Sequence, residues 1–189
     1  MRSERGEEGP GHAPVRFIPI GVVRNQSRDA SWGDRLGAMK WEDRATRMRE
    51  QRESVSEIVI DADVAEALEG IDEFSHITVV YWPHLVPEER RHALKVHPMG
   101  NRDFPLVGVF ATHSPIRPNS ILITTVRLLG RDGNTLRVTG LDALDGSPVL
   151  DIKPYTSERN VEDVRVPEWM ARMRHGFSEG EGGTGANRS

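Results

Sequence analysis

Hydrophobic positions along the chain gather in short β-rich runs broken by Gly, Pro, Asp and Asn, a pattern that predicts strands rather than long helices. Phe17-Ile-Pro-Ile-Gly-Val-Val23 is the first run and Glu57-Ile-Val-Ile60 a shorter second. His76-Ile-Thr-Val-Val-Tyr-Trp82 is β-branched and aromatic, and Pro83 ends it because proline cannot donate to a central ladder. Leu106-Val-Gly-Val-Phe-Ala-Thr112 reads as a buried strand, with Gly108 marking a bend or a close backbone approach. Ser120–Leu129 pairs with Thr135–Thr139 across a link whose Asp132-Gly133 is a hairpin-turn signal. Short strands with this punctuation favour a sandwich or barrel over a βαβ sheet.

Helical patterning is limited. Asp63–Glu69, stopped by Gly70, predicts one short helix. Residues from about Met39 to Arg52 are charged, with Trp41, Ala45 and Met48 at helical spacing. A last helix starts near Val166, with Pro167 in its first turn. Both chain ends are poor in residues to bury. The expected organisation is therefore a disordered tail over 1–14, one folded domain over 15–175 and a disordered Gly-rich tail over 176–189.

Composition narrows the chemistry. The 189 residues include no cysteine, which excludes a disulfide framework, a thiolate metal cluster and a cysteine nucleophile. A net charge of −4 argues against a strongly basic, nucleic-acid-coating surface. No apolar run approaches the ~20 residues of a membrane span, and the polar start lacks a signal-peptide core. A soluble, cytoplasmic protein is expected, with no membrane partner.

Local motifs exclude several activities. Ser114 follows His113, but no Gly-x-Ser-x-Gly elbow exposes its hydroxyl, so a Ser–His–Asp hydrolase is disfavoured. His84, His92 and His97 lie in one segment without a metal-binding spacing, so no metal is expected. Neither a Gly-x-Gly-x-x-Gly after a strand nor a phosphate loop is present.

The informative stretch runs from Gly108 to Tyr155. Ser114-Pro115 and Arg117-Pro118 force extended backbone on either side of Ile116. This predicts a stiff loop presenting Arg117 and Asn119, either a preorganised ligand loop or a corner between strands capped by Asn119. Further on, Asp142, Asp145 and Asp151 fall within ten positions, Gly146 allows a tight turn and Lys153 can balance one carboxylate. The spacing does not match a calcium loop. The acids fit recognition of ribose hydroxyls or an ammonium group, and fit local turn capping equally well.

Two segments carry a family resemblance: Gly108-Val-Phe-Ala-Thr-His-Ser-Pro-Ile-Arg-Pro-Asn119 and Leu141-Asp-Ala-Leu-Asp-Gly-Ser-Pro-Val-Leu-Asp-Ile-Lys-Pro-Tyr155. Together with Pro19–Arg24 and Gly70–His76 in the same order, they resemble the TrmO (YaeB-like) family of S-adenosylmethionine-dependent methyltransferases. The resemblance covers about Phe17 to Tyr155. It implies a mainly β fold, a small antiparallel β-barrel that forms a homodimer and binds S-adenosylmethionine near the subunit interface. It also implies methyl transfer to N6 of threonylcarbamoyl-adenosine beside the anticodon of tRNA. Carried over by motif, the cofactor contacts are Arg35, His84, Leu85, His113, Ile123, Asp142, Ala143, Leu144 and Asp145, with Arg117 and Asn119 on the substrate side.

The chain departs from the family pattern at identifiable places. His113 stands where the family has Arg, and Arg117-Pro-Asn-Ser-Ile-Leu122 stands where it has Arg-Pro-Asn-Pro-Ile-Gly. The nearest counterpart of the family's Pro-Arg-Gln is Asp34-Arg35-Leu36, followed by a charged, Trp-bearing stretch up to Arg52. Arg44, Arg47, Arg49 and Arg52, or Arg90 and Arg91, could supply a local phosphate footprint or form solvated faces. Two other functions stay open: a non-catalytic S-adenosylmethionine-binding module, and a methyltransferase acting on a small molecule. No catalytic base is evident.

Overall fold

The structure, a computed structural model, describes residues 15–28 and 41–179. Its centre is a closed antiparallel barrel. The six barrel strands are β1 (Gly21–Arg24), β2 (Val55–Ile60), β3 (His76–Tyr81), β6 (Leu122–Asp132), β7 (Thr135–Thr139) and β8 (Pro148–Pro154). They close in the order β1-β2-β7-β6-β3-β8. A separate two-stranded ladder pairs β4 (Lys95–Val96) with β5 (Val107–Gly108). Helix α1 (Trp41–Glu53) precedes β2, and α2 (Glu168–Glu179) runs four residues past the expected end of the folded region.

Period-two alternation turns one face of each barrel strand inward. Ile58 and Ile60 on β2, Ile77, Val79 and Tyr81 on β3, Val126 and Leu128 on β6, Leu136 and Val138 on β7, and Val149 on β8 form one core with Val23 and Leu141. Each fully buried Val or Ile contributes about 2 kcal/mol of transfer free energy, so the inward pattern fixes the register. Where β1 crosses β2, no side chain fits. A methyl group on Gly21 would overlap the Val59 carbonyl oxygen and come within 2.9 Å of Ile60 Cα.

The β6–β7 hairpin forms as the sequence predicts, one residue out of place. Asp132 pairs with Thr135, so Gly133-Asn134 is the turn, and Gly133 takes φ +58° at the first central position. Positive φ there suits a turn whose twist matches the strands.

The short helix expected over Asp63–Glu69 is present as a 3₁₀ helix over Ala62–Leu68. Two expectations are corrected. The first run enters the barrel only at Gly21, Pro19 having no backbone donor for a ladder. The run Leu106–Thr112 is not a buried strand: only Val107–Gly108 pairs, Val109–Ala111 coils as a 3₁₀ turn, and Phe110 is 76 % exposed. The barrel strand missed in the sequence is β8, whose outward Asp151 and Lys153 pair with each other at 2.6 Å.

Candidate functional site

The chain between β7 and β8 makes a turn over Asp142–Ser147, and residues far away in sequence hold it. Asn25, just past β1, is the main anchor. Its Nδ2 donates to the Ala143 carbonyl (3.0 Å) and to Ser56 Oγ (3.0 Å), while its backbone N–H donates to Asp145 Oδ1 (3.0 Å). Its Oδ1 accepts the Ser27 N–H (2.9 Å). Asp145 N–H donates in return to the Ser27 carbonyl (2.7 Å), and Gly146 N–H to that of Val23 (2.8 Å). The second Asp145 oxygen faces the exposed Arg28 guanidinium at 3.3 Å. Gly146 takes φ +80°, a value that lets the chain reverse here into β8.

The other end of the turn rests on Tyr81, which projects from β3 into the barrel end. Its hydroxyl donates to the Asp142 carbonyl and lies 3.3 Å from Thr124 Oγ1. With its one proton committed to the carbonyl, Tyr81 accepts from Thr124. Burial, and then the Asp142 carboxylate, push the phenol above its ordinary pKa, so it remains a donor at neutral pH. The exposed Asp142 carboxylate accepts from Gln51 Nε2 of α1 at 2.5 Å.

Beyond Tyr81 the chain leaves β3 through Trp82 and brings His84 against this turn. His84 Nδ1 lies 3.4 Å from Ser147 Oγ, and Gly146 sits beside the Nε2 edge of the ring. Burial lowers the His84 pKa, and the Asp145 carboxylate opposes that shift. The lowered folded value means that the unfolded chain takes up the proton first. The stability linked to His84 is therefore present above the unfolded value of 6.5 and lost as pH falls through the folded one. An NMR titration of the His84 ring should give a midpoint below 6.5 in the native protein. Asp145→Asn should move it further down; an upward move would disprove the electrostatic contact.

The expected cofactor residues thus divide. His84 and the turn Asp142, Ala143, Leu144 and Asp145 come together at one end of the barrel. Leu85 is exposed beside His84, and Ile123, opposite Val80 on β6, faces outward with 63 % exposure. His113, Arg117 and Asn119 sit on the loop before β6. Arg35 lies outside the described residues, as do the side chains of Trp41, Ala45 and Met48.

The 112–120 loop is held by hydroxyls. Thr112 Oγ1 donates to the Val109 carbonyl (2.8 Å), and Ser114 Oγ accepts the Ile116 N–H (3.2 Å), which occupies it as a local cap. Ser120, a departure from the family's Pro, is buried, and its Oγ lies 3.0 Å from the Arg117 carbonyl and 3.1 Å from that of Pro115. Leu122, in place of the family's Gly, packs against the barrel core. The Arg117 guanidinium stands over the Phe110 ring at 5.8 Å. Of the paired Arg90 and Arg91, the latter is buried and bound to backbone carbonyls, so it is no phosphate contact. Among the described residues, no group of three or more His, Cys, Asp or Glu could hold a metal ion, and no helix is long and apolar enough to cross a membrane.

The family profile described as tRNA-methyltransferase O N-terminal domain matches residues 43–161, a span that includes His84, the 112–120 loop and the Asp142–Ser147 turn. The chain belongs to the TrmO family of S-adenosylmethionine-dependent methyltransferases. The "Probable S-adenosyl-L-methionine-binding protein" of Methanothermobacter thermautotrophicus is 43 % identical over 141 residues, covering 75 % of this chain and 90 % of that protein. An S-adenosyl-L-methionine-binding protein of Archaeoglobus fulgidus is 39 % identical over 140 residues, covering 74 % and 88 %. The crystal structure of TrmO from Pseudomonas aeruginosa superposes with a TM-score of 0.61 at 27 % identity. That superposition covers 85 % of this chain, whereas the chain spans only 64 % of that longer TrmO. The barrel read from the sequence is thus the TrmO barrel. Asn25, Tyr81 and Gln51 were not singled out by the sequence, because none lies in a motif whose spacing signals a site, and Arg91 was read there only as a phosphate contact or part of a solvated face.

Proposed function

We propose that the protein transfers a methyl group from S-adenosylmethionine to N6 of threonylcarbamoyl-adenosine beside the anticodon of tRNA. The observation that carries the cofactor half is the Asp142–Asp145 turn folded against His84, which unites two segments about sixty residues apart that the family motifs assign to the cofactor. Bound S-adenosylmethionine supplies an already activated methyl group, so the protein's task is chiefly positioning. The exposed Asp142 carboxylate is an acceptor for ribose hydroxyls or an ammonium group. Leu85 and Ile123 offer apolar surface at the same barrel end, and Arg117 and Asn119 face the acceptor.

A homodimer is part of this reading. Leu94, Leu106 and Phe110, on and beside the β4–β5 ladder, leave apolar area uncovered, a composition that suits a subunit interface. A second subunit could then bring a 112–120 loop to the turn of the first.

The test has two readouts. Millimolar S-adenosylmethionine should raise the melting temperature, and no shift would remove the cofactor assignment. Methyl incorporation into threonylcarbamoyl-modified tRNA should follow. Intact cofactor binding without incorporation would favour the binding module or a small-molecule acceptor, readings that the net charge of −4 and the internal role of Arg91 keep in view.

A further inference from the structure

We infer that Arg91 is a positioning residue for the cofactor site, setting the conformation in which His84 and Leu85 are presented. The inference rests on the cofactor reading above. The Val86 N–H donates to the Pro83 carbonyl (3.1 Å), closing a β-turn in which His84 and Leu85 are the two central residues. Arg91, from the 3₁₀ turn Glu88–His92, grips both ends of that turn. Its Nη2 donates to the Val86 carbonyl (2.9 Å) and to the Pro83 carbonyl (3.3 Å), and its Nε also reaches Val86 (3.2 Å). The guanidinium lies 5.0 Å from the centre of the Trp82 ring, the residue that leads into the turn.

Arg91 is 7 % exposed, and among the described residues the exposed Glu88 faces it, 3.4 Å from Nε. A guanidinium buried this way gains little net stability over an apolar side chain of similar size, because desolvation offsets the attraction. What it gives that an apolar residue does not is geometry. A planar fork bonded to the first and last carbonyls of a four-residue turn fixes the direction of the two side chains between them. The ammonium of lysine is a point charge and lacks that fork.

The experiment compares the wild type, Arg91→Lys and Arg91→Met. Calorimetry measures S-adenosylmethionine affinity, melting without ligand measures stability, and hydrogen exchange follows the Val86 amide. Arg91→Lys should weaken binding about tenfold, and Arg91→Met should weaken it further. In both, the Val86 amide should exchange faster while the ligand-free melting temperature falls only modestly. If Arg91→Met does not fold, Arg91→Lys decides the matter by itself. Wild-type affinity in Arg91→Lys, with or without lost stability, would show a purely structural arginine and overturn the inference while leaving the cofactor reading intact. A wild type that binds no S-adenosylmethionine would overturn the cofactor reading, and this inference with it.

Discussion

Replacing Asn25 by alanine is expected to lower stability by about 3 kcal/mol, roughly 8 °C in melting temperature for a domain of this size. The side-chain amide gives one hydrogen to the Ala143 carbonyl and one to Ser56 Oγ. Ser56 is 1 % exposed and points into an otherwise apolar barrel interior, so alanine at position 25 strands a buried hydroxyl without water. Two controls make the explanation specific. Asn25→Asp keeps the shape and the acceptor for the Ser27 N–H, yet turns an oxygen toward the Ala143 carbonyl and adds charge beside Asp145. It should be no better tolerated than alanine. Adding Ser56→Ala to Asn25→Ala should recover part of the loss, because the stranded hydroxyl is gone. Strict additivity of the two changes would show that the pair is not coupled.

The second large effect is expected at Asp145. Asp145→Ala should weaken S-adenosylmethionine binding more than about tenfold, and Asp142→Ala should weaken it less. Asp145 is built into the site: its carboxylate accepts the Asn25 N–H, so although alanine keeps the backbone bond to the Ser27 carbonyl, losing the side chain frees the turn from the Asn25 N–H. Asp142 is exposed and bonds Gln51, so its loss removes one ligand acceptor and leaves the turn in place. Asp145→Asn keeps the acceptor and loses the ion pair to the exposed Arg28, an interaction of small worth, together with the carboxylate's pull on the His84 proton. It should stay close to the wild type. Titration calorimetry on the four proteins checks the order, and unchanged affinity in both alanine variants would remove this turn from the site.

Much of the barrel is legible in the sequence because strand alternation is a local signal. Ile77, Val79 and Tyr81 alternate with polar or half-buried neighbours, and the same holds for Leu136 and Val138. Phe110 misled for a physical reason. Its run looks buried by composition, but Gly108 and the 3₁₀ turn after it bring the ring out into solvent. The β8 strand hid behind its own polar content, since Asp151 and Lys153 are outward residues that match each other. In the site, the acids of the 142–145 turn were readable as chemistry but not as architecture. Asn25 is about 120 positions from the residues it holds, and Arg91 acts by bonding backbone carbonyls, which leave no mark on residue type.

The barrel closes where β1 meets β8, through only two registered pairs, Gly21 with Val149 and Val22 with Pro148. This junction joins the first strand to the last, so it spans the longest chain separation of any strand pairing in the barrel and carries the largest loop-closure entropy. Kinetically it is the seam expected to seal last during folding and to part first during unfolding. The Asp142–Ser147 turn leads straight into that seam, and Gly146 and Ser147 bond Val23 of β1 across it. A molecule gripping the turn therefore acts on escape from the native state. Its hold would appear as slower unfolding more than as faster folding.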